Sequence, residues 1–238
     1  MKFRFLCGAT ALLAGTFLTV TAVANDDVKS AAKKLAEKAN YSWTSTTEVG
    51  GAGQQFRPGP TDGKLAGDVT WVSTTFGQNT SEMVLKGAKG AAKTQDGWKS
   101  VAELTEGEAT QENRGRRFLG RMLQNFKAPA AQAEDLIAKT KSLEKTGDAY
   151  SGELTAEGVT ELLTFGRRAG GNAPAPTNAK GSAKFWLKDG VLSKFEYNVQ
   201  GTVTFNNNEV NVDRTTTVEI KDVGTTKVEV PEEAKGKL

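Results

Sequence analysis

A run of alternating apolar and polar residues near the end of the chain most constrains the fold. Apolar side chains occupy Phe185 and Leu187, the pattern turns at Asp189-Gly190, and the alternation resumes over 195–199. Such alternation places apolar side chains on one face of a β-strand, and Asp-Gly favours a two-residue hairpin turn. Three later segments continue the pattern: 203–205, 216–220 and 226–230. Together these segments predict an antiparallel meander of about four or five strands at the end of the chain.

The first third of the chain predicts one helix followed by further antiparallel strands. An apolar stripe at helical spacing, preceded by Asp26 and Asp27, indicates an amphipathic helix of about a dozen residues. Alternation with period two begins at Tyr41 and Trp43. The stretch 50–63, with its glycines and prolines, predicts a loop, and the alternation then returns in three segments: 65–76, 81–85 and 94–98.

Two helical insertions interrupt the predicted strands. Between 106 and 138 the apolar period becomes helical, with Pro129 separating two apolar faces. After a strand pair over 142–154, Thr155 is the predicted N-cap of a short helix, and the glycine-rich stretch 166–181 predicts a mobile loop. The whole pattern predicts an α+β fold, with a single curved antiparallel sheet of about nine to eleven strands and helices covering its concave face.

Residues 1–24 have the composition of a secretory signal peptide. Lys2 and Arg4 precede an apolar stretch, and Ala22-Val23-Ala24 supplies the small residues that a signal peptidase requires. We therefore expect cleavage near Ala24, a single domain over 25–238, and a periplasmic or secreted protein.

The composition excludes several classes of site. The chain has no histidine, which excludes Ser-His-Asp and Cys-His nucleophile systems and His-bearing zinc sites. The only cysteine, Cys7, lies ahead of the apolar stretch, so we expect neither a lipid anchor nor disulfides. The formal net charge of +3 falls to +1 without Lys2 and Arg4, which argues against a nucleic-acid partner. We expect a monomer that is not an enzyme and has no cofactor or metal.

Three late parts of the chain carry a resemblance to a known family. They are 150–154 with the helix after it, 183–190 turning into 192–195, and 223–224 with 228–231. In their order along the chain they resemble the late strands of the bacterial periplasmic lipoprotein-carrier (LolA-like) family and related envelope lipid carriers. The resemblance implies an unclosed half-barrel with helices plugging its mouth. It also implies a lipid or acylated protein as partner, with acyl chains held between the sheet and this lid.

The large apolar residues of the predicted strands are candidates to line such a cavity, or else form an ordinary filled core. The candidate lining residues are Trp43, Trp71, Phe76, Met83, Phe185, Leu187, Phe195 and Tyr197. The candidate lid residues are Phe118, Met122, Phe126, Leu162 and Phe165. Arg114, Arg117 and Arg121 recur at helical spacing, as a candidate basic rim for lipid phosphates or an acidic partner, or else as a solvated helix face.

Three functions stay open from the sequence. The first is an exported, non-enzymatic carrier or chaperone that binds acyl chains in the half-barrel. The second is an envelope interaction or scaffold protein whose sheet is fully packed and holds no small molecule. The third is a hydrolase that uses Asp and Glu alone, which is disfavoured because a sugar cleft needs several exposed aromatic residues and the chain has four Trp and three Tyr.

Overall fold

Eleven antiparallel strands form one sheet in the computed structural model, which describes residues 20–50, 58–77, 79–108, 110–164, 174–205 and 208–238. The strands are β1 (Asn40–Val49), β2 (Pro58–Ala66), β3 (Val69–Phe76), β4 (Asn79–Lys86), β5 (Lys89–Thr94), β6 (Gly97–Ser100), β7 (Glu144–Thr146), β8 (Ala149–Glu153), β9 (Thr177–Lys188), β10 (Val191–Phe205) and β11 (Asn208–Lys221). The helices of these described ranges are α1 (Val20–Ala36), α2 (Val101–Thr105), α3 (Arg114–Gln124), α4 (Pro129–Ala138), α5 (Ala156–Thr164) and α6 (Glu232–Lys235).

The strand order shows how the two ends of the chain meet. The order is β6-β5-β4-β3-β2-β1-β11-β10-β9-β8-β7, so the first strand pairs with the last. Strands β6 and β7 lie at the two edges, and the sheet is not closed into a barrel. The predicted single antiparallel sheet of nine to eleven strands, interrupted by helical insertions, is therefore confirmed.

One face of the sheet, called the inner face below, is concave and covered by helices. It carries the buried side chains of Trp43, Phe185 and Phe195, which belong to one apolar cluster with residues of the helices. From the helices, α1 and α4 contribute the most buried side chains to this cluster: Val28, Ala31, Ala32, Leu35, Ala130, Ala133, Leu136 and Ile137. Because α1 also contacts β10, the helical layer is anchored to the centre of the sheet.

The opposite, outer face carries a smaller cluster. Val84, Ala91 and Trp98 are buried there against Ala234 of α6. Because neighbouring residues of a strand point to opposite faces, β4 contributes Met83 to the inner cluster and Val84 to the outer one. The strands near the β6 edge of the sheet are therefore apolar on both faces. This weakens the alternation of apolar and polar residues in the sequence.

Three predictions about strand segments are wrong, and in one of them β9 begins at Thr177, inside the stretch 166–181 predicted as a loop. Strand β2 begins at Pro58, inside the stretch 50–63 predicted as a loop, because it pairs with β1 on one side and β3 on the other. The segment 226–230, predicted as a strand, is irregular. There the backbone N–H of Thr226 donates to Oδ1 of Asn40 at 2.9 Å, and its hydroxyl donates to the carbonyl oxygen of Asp222. These bonds hold the segment beside the sheet without a strand ladder.

The helices differ from expectation at three places: the start of α1, the helix α2, and the short helix α6, which was not predicted. Helix α1 begins at Val20, ahead of Asp26, because the apolar stripe continues upstream and Ala24 is buried in the inner cluster. Helix α2 was not predicted, although Ser100 and Glu103 form the Ser-x-x-Glu capping box at its start. The predicted N-cap of α5 is confirmed, since Oγ1 of Thr155 accepts a hydrogen bond from the backbone of Gly158 at 3.0 Å.

Glu103 also fastens the end of the chain to α2. Its carboxylate lies 2.6 Å from Nζ of Lys237 and accepts a hydrogen bond from the backbone N–H of Ser100 at 2.7 Å. Lys237 first, and then Ser100, lower the pKa of Glu103 from 4.5 to about 2. Since the folded protein favours the ionised form, this contribution to stability is present above the ordinary pKa and is lost as the pH falls toward the lowered one.

We predict that Lys237→Met makes stability less sensitive to acid. The free energy of unfolding of the wild type is expected to fall as the pH drops from about 5 to about 2, and the variant is expected to lose less over the same range. Urea denaturation at each pH measures both. Lys235→Met is the matched control, because Lys235 pairs with exposed Glu232 within α6 and does not contact Glu103 in the described structure. Equal acid sensitivity of Lys237→Met and wild type would contradict the prediction.

Candidate functional site

Most of the candidate lining residues lie together on the inner face. The side chains of Phe185 and Phe195 are 0% exposed, and those of Met83 and Trp43 are 2% and 4% exposed. Leu187 and Tyr197 are half-buried and pack against the same cluster. Strands β1, β4, β9 and β10 thus bring six residues, distant in sequence, into one apolar surface.

Two of the candidate lining residues are not placed in this surface. Trp71 packs in the outer cluster, with Lys64 Nζ 5.5 Å from its ring centroid. Its neighbour Val72 holds the inner position of β3 and is 1% exposed. The sequence presents two adjacent apolar residues, and the larger one was assigned to the wrong face. The Phe76 side chain lies outside the described part of the structure.

Trp43 is the centre of an aromatic group between the sheet and the helices. Its ring centroid lies 5.9 Å from that of Tyr41 and 6.3 Å from that of Phe126, just beyond the end of α3. The indole lies across Gly63, its partner on β2, where a Cβ atom would stand 2.0 Å from the Trp43 ring. Glycine at this position therefore sets how deeply the indole enters the inner face.

Tyr41 is a member of this group that the candidate set lacked. It lies two residues before Trp43, on the same face of β1, and its side chain is 1% exposed. Burial raises the pKa of Tyr41 to about 12, against the smaller opposing effect of a backbone hydrogen bond with Ala130 of α4. The phenol is therefore neutral at physiological pH and contributes a polar atom without charge.

The candidate lid residues divide into two groups. Met122, Phe126 and Leu162 are half-buried against the inner cluster. Phe118 is 44% exposed, and Phe165 lies outside the described residues. Helices α3 and α5, called the lid below, bury Leu123, Val159 and Leu163 in the inner cluster, and their other large side chains keep some contact with solvent. Helices α1 and α4, by contrast, present fully buried ones.

The candidate basic rim does not act as one surface. Arg114 and Arg121 are exposed on α3. Arg117 is half-buried, and its Nη1 donates to the carbonyl oxygens of Thr105 at 2.5 Å and Gly107 at 2.7 Å. Arg117 therefore ties α3 to the end of α2, which leaves two of the three side chains facing water.

Two small clefts open beside the helical layer. One, of about 310 Å³, is lined by Asp27, Ser30, Lys34, Tyr150, Leu187 and Gly190. The other, of about 400 Å³, has mixed polar and apolar walls made by the start of α5 and strands β8, β9 and β10. Among the described candidate lining residues, Leu187 alone borders either of these two clefts.

The first cleft contains a hydrogen bond that fixes α1 to β8. The Tyr150 hydroxyl donates to Oδ2 of Asp27 at 3.1 Å. Burial raises the pKa of Tyr150, and Asp27 raises it further. Over the described ranges, no group of three or more Cys, Asp or Glu could hold a metal ion. Of the helices in these same ranges, none is long and apolar enough to cross a membrane.

The inner face also has a polar half that the sequence did not reveal. Strand register places four hydroxyl residues side by side across β4, β3, β2 and β1: Ser81, Thr74, Thr61 and Ser45. Thr61 and Thr74 share a hydrogen bond of 2.8 Å between their hydroxyls. Farther along β11, on the same face, lie Thr216 and Arg214. Only the pairing of β1 with β11 brings these residues to one surface.

Comparison with known proteins gives likenesses of structure. No family model matches the chain, and no curated protein sequence matches it. The lipoprotein LppX from Mycobacterium tuberculosis is similar at 9% identity and a TM-score of 0.45, covering 88% of this chain and 99% of its own. LprF from Mycobacterium bovis is similar at 11% identity and a TM-score of 0.45, covering 90% and 98%.

We predict that Gly63→Ala displaces the Trp43 indole. A methyl group at 2.0 Å from the ring overpacks the inner face, so the free energy of unfolding is expected to fall by about 1–3 kcal/mol. The tryptophan emission spectrum is expected to change as well. Chemical denaturation and fluorescence measure the two effects.

Gly115→Ala serves as the control, because a Cβ at this position of α3 meets nothing within 4 Å. It is expected to be neutral or slightly stabilising, since alanine favours a helix over glycine. If Gly63→Ala is destabilising for the reason given, combining it with Trp43→Phe should recover part of the loss. An unchanged emission spectrum in Gly63→Ala would refute the placement of the indole.

Proposed function

We propose that the protein is an exported, non-enzymatic carrier or chaperone that binds the acyl chains of a lipid or lipoprotein between the inner face and the lid. The observation that carries this proposal is the difference between the two pairs of helices. Helices α1 and α4 contribute only fully buried side chains to the inner cluster. The lid also buries Leu123, Val159 and Leu163, but Met122, Phe126 and Leu162 of the lid region stay half-buried over an aromatic surface. An apolar surface with an incomplete cover suits a ligand that is itself apolar.

Export fits the contacts made at the start of the proposed mature domain. After cleavage near Ala24, the first residue is Asn25, whose Oδ1 accepts a hydrogen bond from the backbone N–H of Leu143 at 2.9 Å. Two residues later, Asp27 accepts the bond from Tyr150. Both bonds lie within the part of the chain that cleavage would leave, so the shortened α1 keeps its attachment. We propose a periplasmic or secreted protein on this basis.

A second function is favoured by one specific observation. Phe185, Phe195 and Met83 are already excluded from solvent in the structure, and the two clefts are small and have mixed polar and apolar walls. A sheet packed in this way also suits an envelope interaction or scaffold protein that holds no small molecule. The carrier proposal requires the lid to separate from the inner face when a ligand enters. The scaffold function requires no such separation.

Trp43 provides a direct test of ligand binding on the inner face. It is central to that face, whereas Trp98 lies in the outer cluster. The protein is titrated with a long-chain fatty acid brominated in its acyl chain, since bromine quenches tryptophan fluorescence on contact. We expect the brominated fatty acid to quench the fluorescence of the wild type. Most of this quenching should be lost in Trp43→Phe, and it should be retained in Trp98→Phe. Native mass spectrometry with lipid extraction, on protein purified gently from its own envelope fraction, is expected to reveal a bound species.

The two functions predict different results in this experiment. A clean unliganded mass, together with no quenching of any tryptophan, would reject the carrier and leave the scaffold. Quenching that persists in Trp43→Phe and disappears in Trp98→Phe would place the ligand on the outer face, and would also reject the proposal. Unfolding curves of both variants show whether either substitution has disturbed the fold.

A further inference from the structure

Arg214 is a cation on the inner face, and no carboxylate of the described residues forms an ion pair with it. Its Nη2 donates to the carbonyl oxygen of Leu162, in the last turn of α5, at 2.7 Å. Its Nε is buried and has no hydrogen-bond partner among the described residues. The ion pairs of the described chain do not include Arg214. The segments outside the described ranges contain no Asp or Glu in their sequence.

This arrangement leaves hydrogen-bonding capacity unused in a partly desolvated place. A guanidinium group has five N–H donors in a planar fork that matches two oxygen atoms of a carboxylate or phosphate. A buried donor without an acceptor costs free energy that an incoming acceptor would recover. An anionic oxygen group is therefore the ligand whose chemistry fits Arg214.

The strand register gives Arg214 uncharged neighbours on the inner face, two valines and two threonines. Its cross-strand neighbours are Val49 on β1 and Val199 on β10. Two residues along β11, Thr216 is buried, and its hydroxyl lies 3.2 Å from that of Thr47. One of these hydroxyls donates to the other, which leaves one O–H group to donate to an anion beside the guanidinium without competing for its charge.

The position of α5 brings its C-terminal turn over this cation. Leu163 packs against Gly201 of β10, where a Cβ atom would stand 2.7 Å from its Cδ1. This close approach seats the end of the helix on the sheet and directs the Leu162 carbonyl toward Arg214. Arg214 thus lies under the end of the lid helix α5, on the face that the proposed ligand would occupy.

The spacing along β11 separates this cation from the aromatic group by the length of a long acyl chain. Trp43 lies opposite Ile220, and Arg214 lies six residues away on the same strand. At the rise of an extended strand, this is about 20 Å. Between the two lie Val218 and Phe195, which are buried in the inner cluster. The inner face is therefore apolar at one end and cationic at the other.

We infer that Arg214, with the hydroxyls of Thr216 and Thr47, binds the anionic headgroup of an amphiphile whose acyl chain lies along the inner face. The inference rests on the proposed carrier function and adds to it a ligand class: an acyl chain that ends in a carboxylate or a phosphate. It also assigns the ligand an orientation, with its headgroup under α5 and its chain directed toward Trp43.

Three probes with the same palmitoyl chain test this site. They are palmitate, 1-palmitoyl lysophosphatidic acid and neutral monopalmitoylglycerol, each titrated calorimetrically into the full protein below its micelle-forming concentration. We expect the wild type to bind one or both anionic probes about tenfold or more tightly than the neutral one. Whichever anion shows the preference identifies the headgroup as carboxylate or phosphate.

Arg214→Gln tests the role of the charge, since glutamine keeps a donor for Leu162. We expect it to abolish the preference for the anion while the Kd of the neutral probe stays within about twofold. Arg214→Lys is expected to retain part of the preference, because lysine keeps the charge but not the planar fork. Lys86→Gln removes one exposed positive charge at the end of β4 and is expected to change neither Kd.

The outcomes separate this site from the proposed function. Binding of all three probes with equal Kd by the wild type overturns the headgroup site and leaves the carrier intact, whether or not the variants fold. If Arg214→Gln weakens the binding of anionic and neutral probes equally, Arg214 has a structural role. This result also overturns the headgroup site. Inorganic phosphate that binds as tightly as the phosphate-bearing probe would show a site for free anions instead. Absence of binding by all three probes rejects the carrier and the site together.

Discussion

The pairing of β1 with β11 is the interaction on which the rest of the structure depends. It joins the six strands that begin the sheet to the five that end it, through a register that runs from Ser42 opposite Lys221 to Val49 opposite Arg214. Because the side-chain period of a strand is two, a slip of one residue would turn Trp43 or its partner Ile220 away from the helices. The inner face exists as a continuous surface only in this register.

That register also determines how polarity is distributed over the inner face. Near the start of β1 it places aromatic and aliphatic side chains side by side, and the helices α1 and α4 exclude water there. Toward the far ends of β1 and β11 it places hydroxyl groups and Arg214. A molecule with one apolar and one charged end matches this distribution, whereas a wholly apolar molecule would leave the cation without a counter-charge.

The parts of the fold that depend on neighbouring residues could be predicted from the sequence. The hairpin at Asp189-Gly190 and the N-cap at Thr155 each follow from residues close together in the chain, and both are present. The face to which Trp71 belongs could not be predicted, because β3 is apolar on both sides and only its packing partners distinguish them. Arg214 was missed for a related reason: its sequence neighbours are polar, and its burial comes from α5 and from β1, which are distant in the chain.

The short strands at the two open edges of the sheet limit how readily copies of the protein can associate through these edges. A half-barrel has two rows of unpaired backbone groups, and such rows recruit strands from neighbouring molecules. Here β6 has four residues and β7 has three, and the sequence of β7 is Glu-Lys-Thr. Few backbone N–H and C=O groups are thus available for pairing at either edge. At β7 these groups are accompanied by charged side chains. The sheet can stay open without becoming a template on which further chains polymerise.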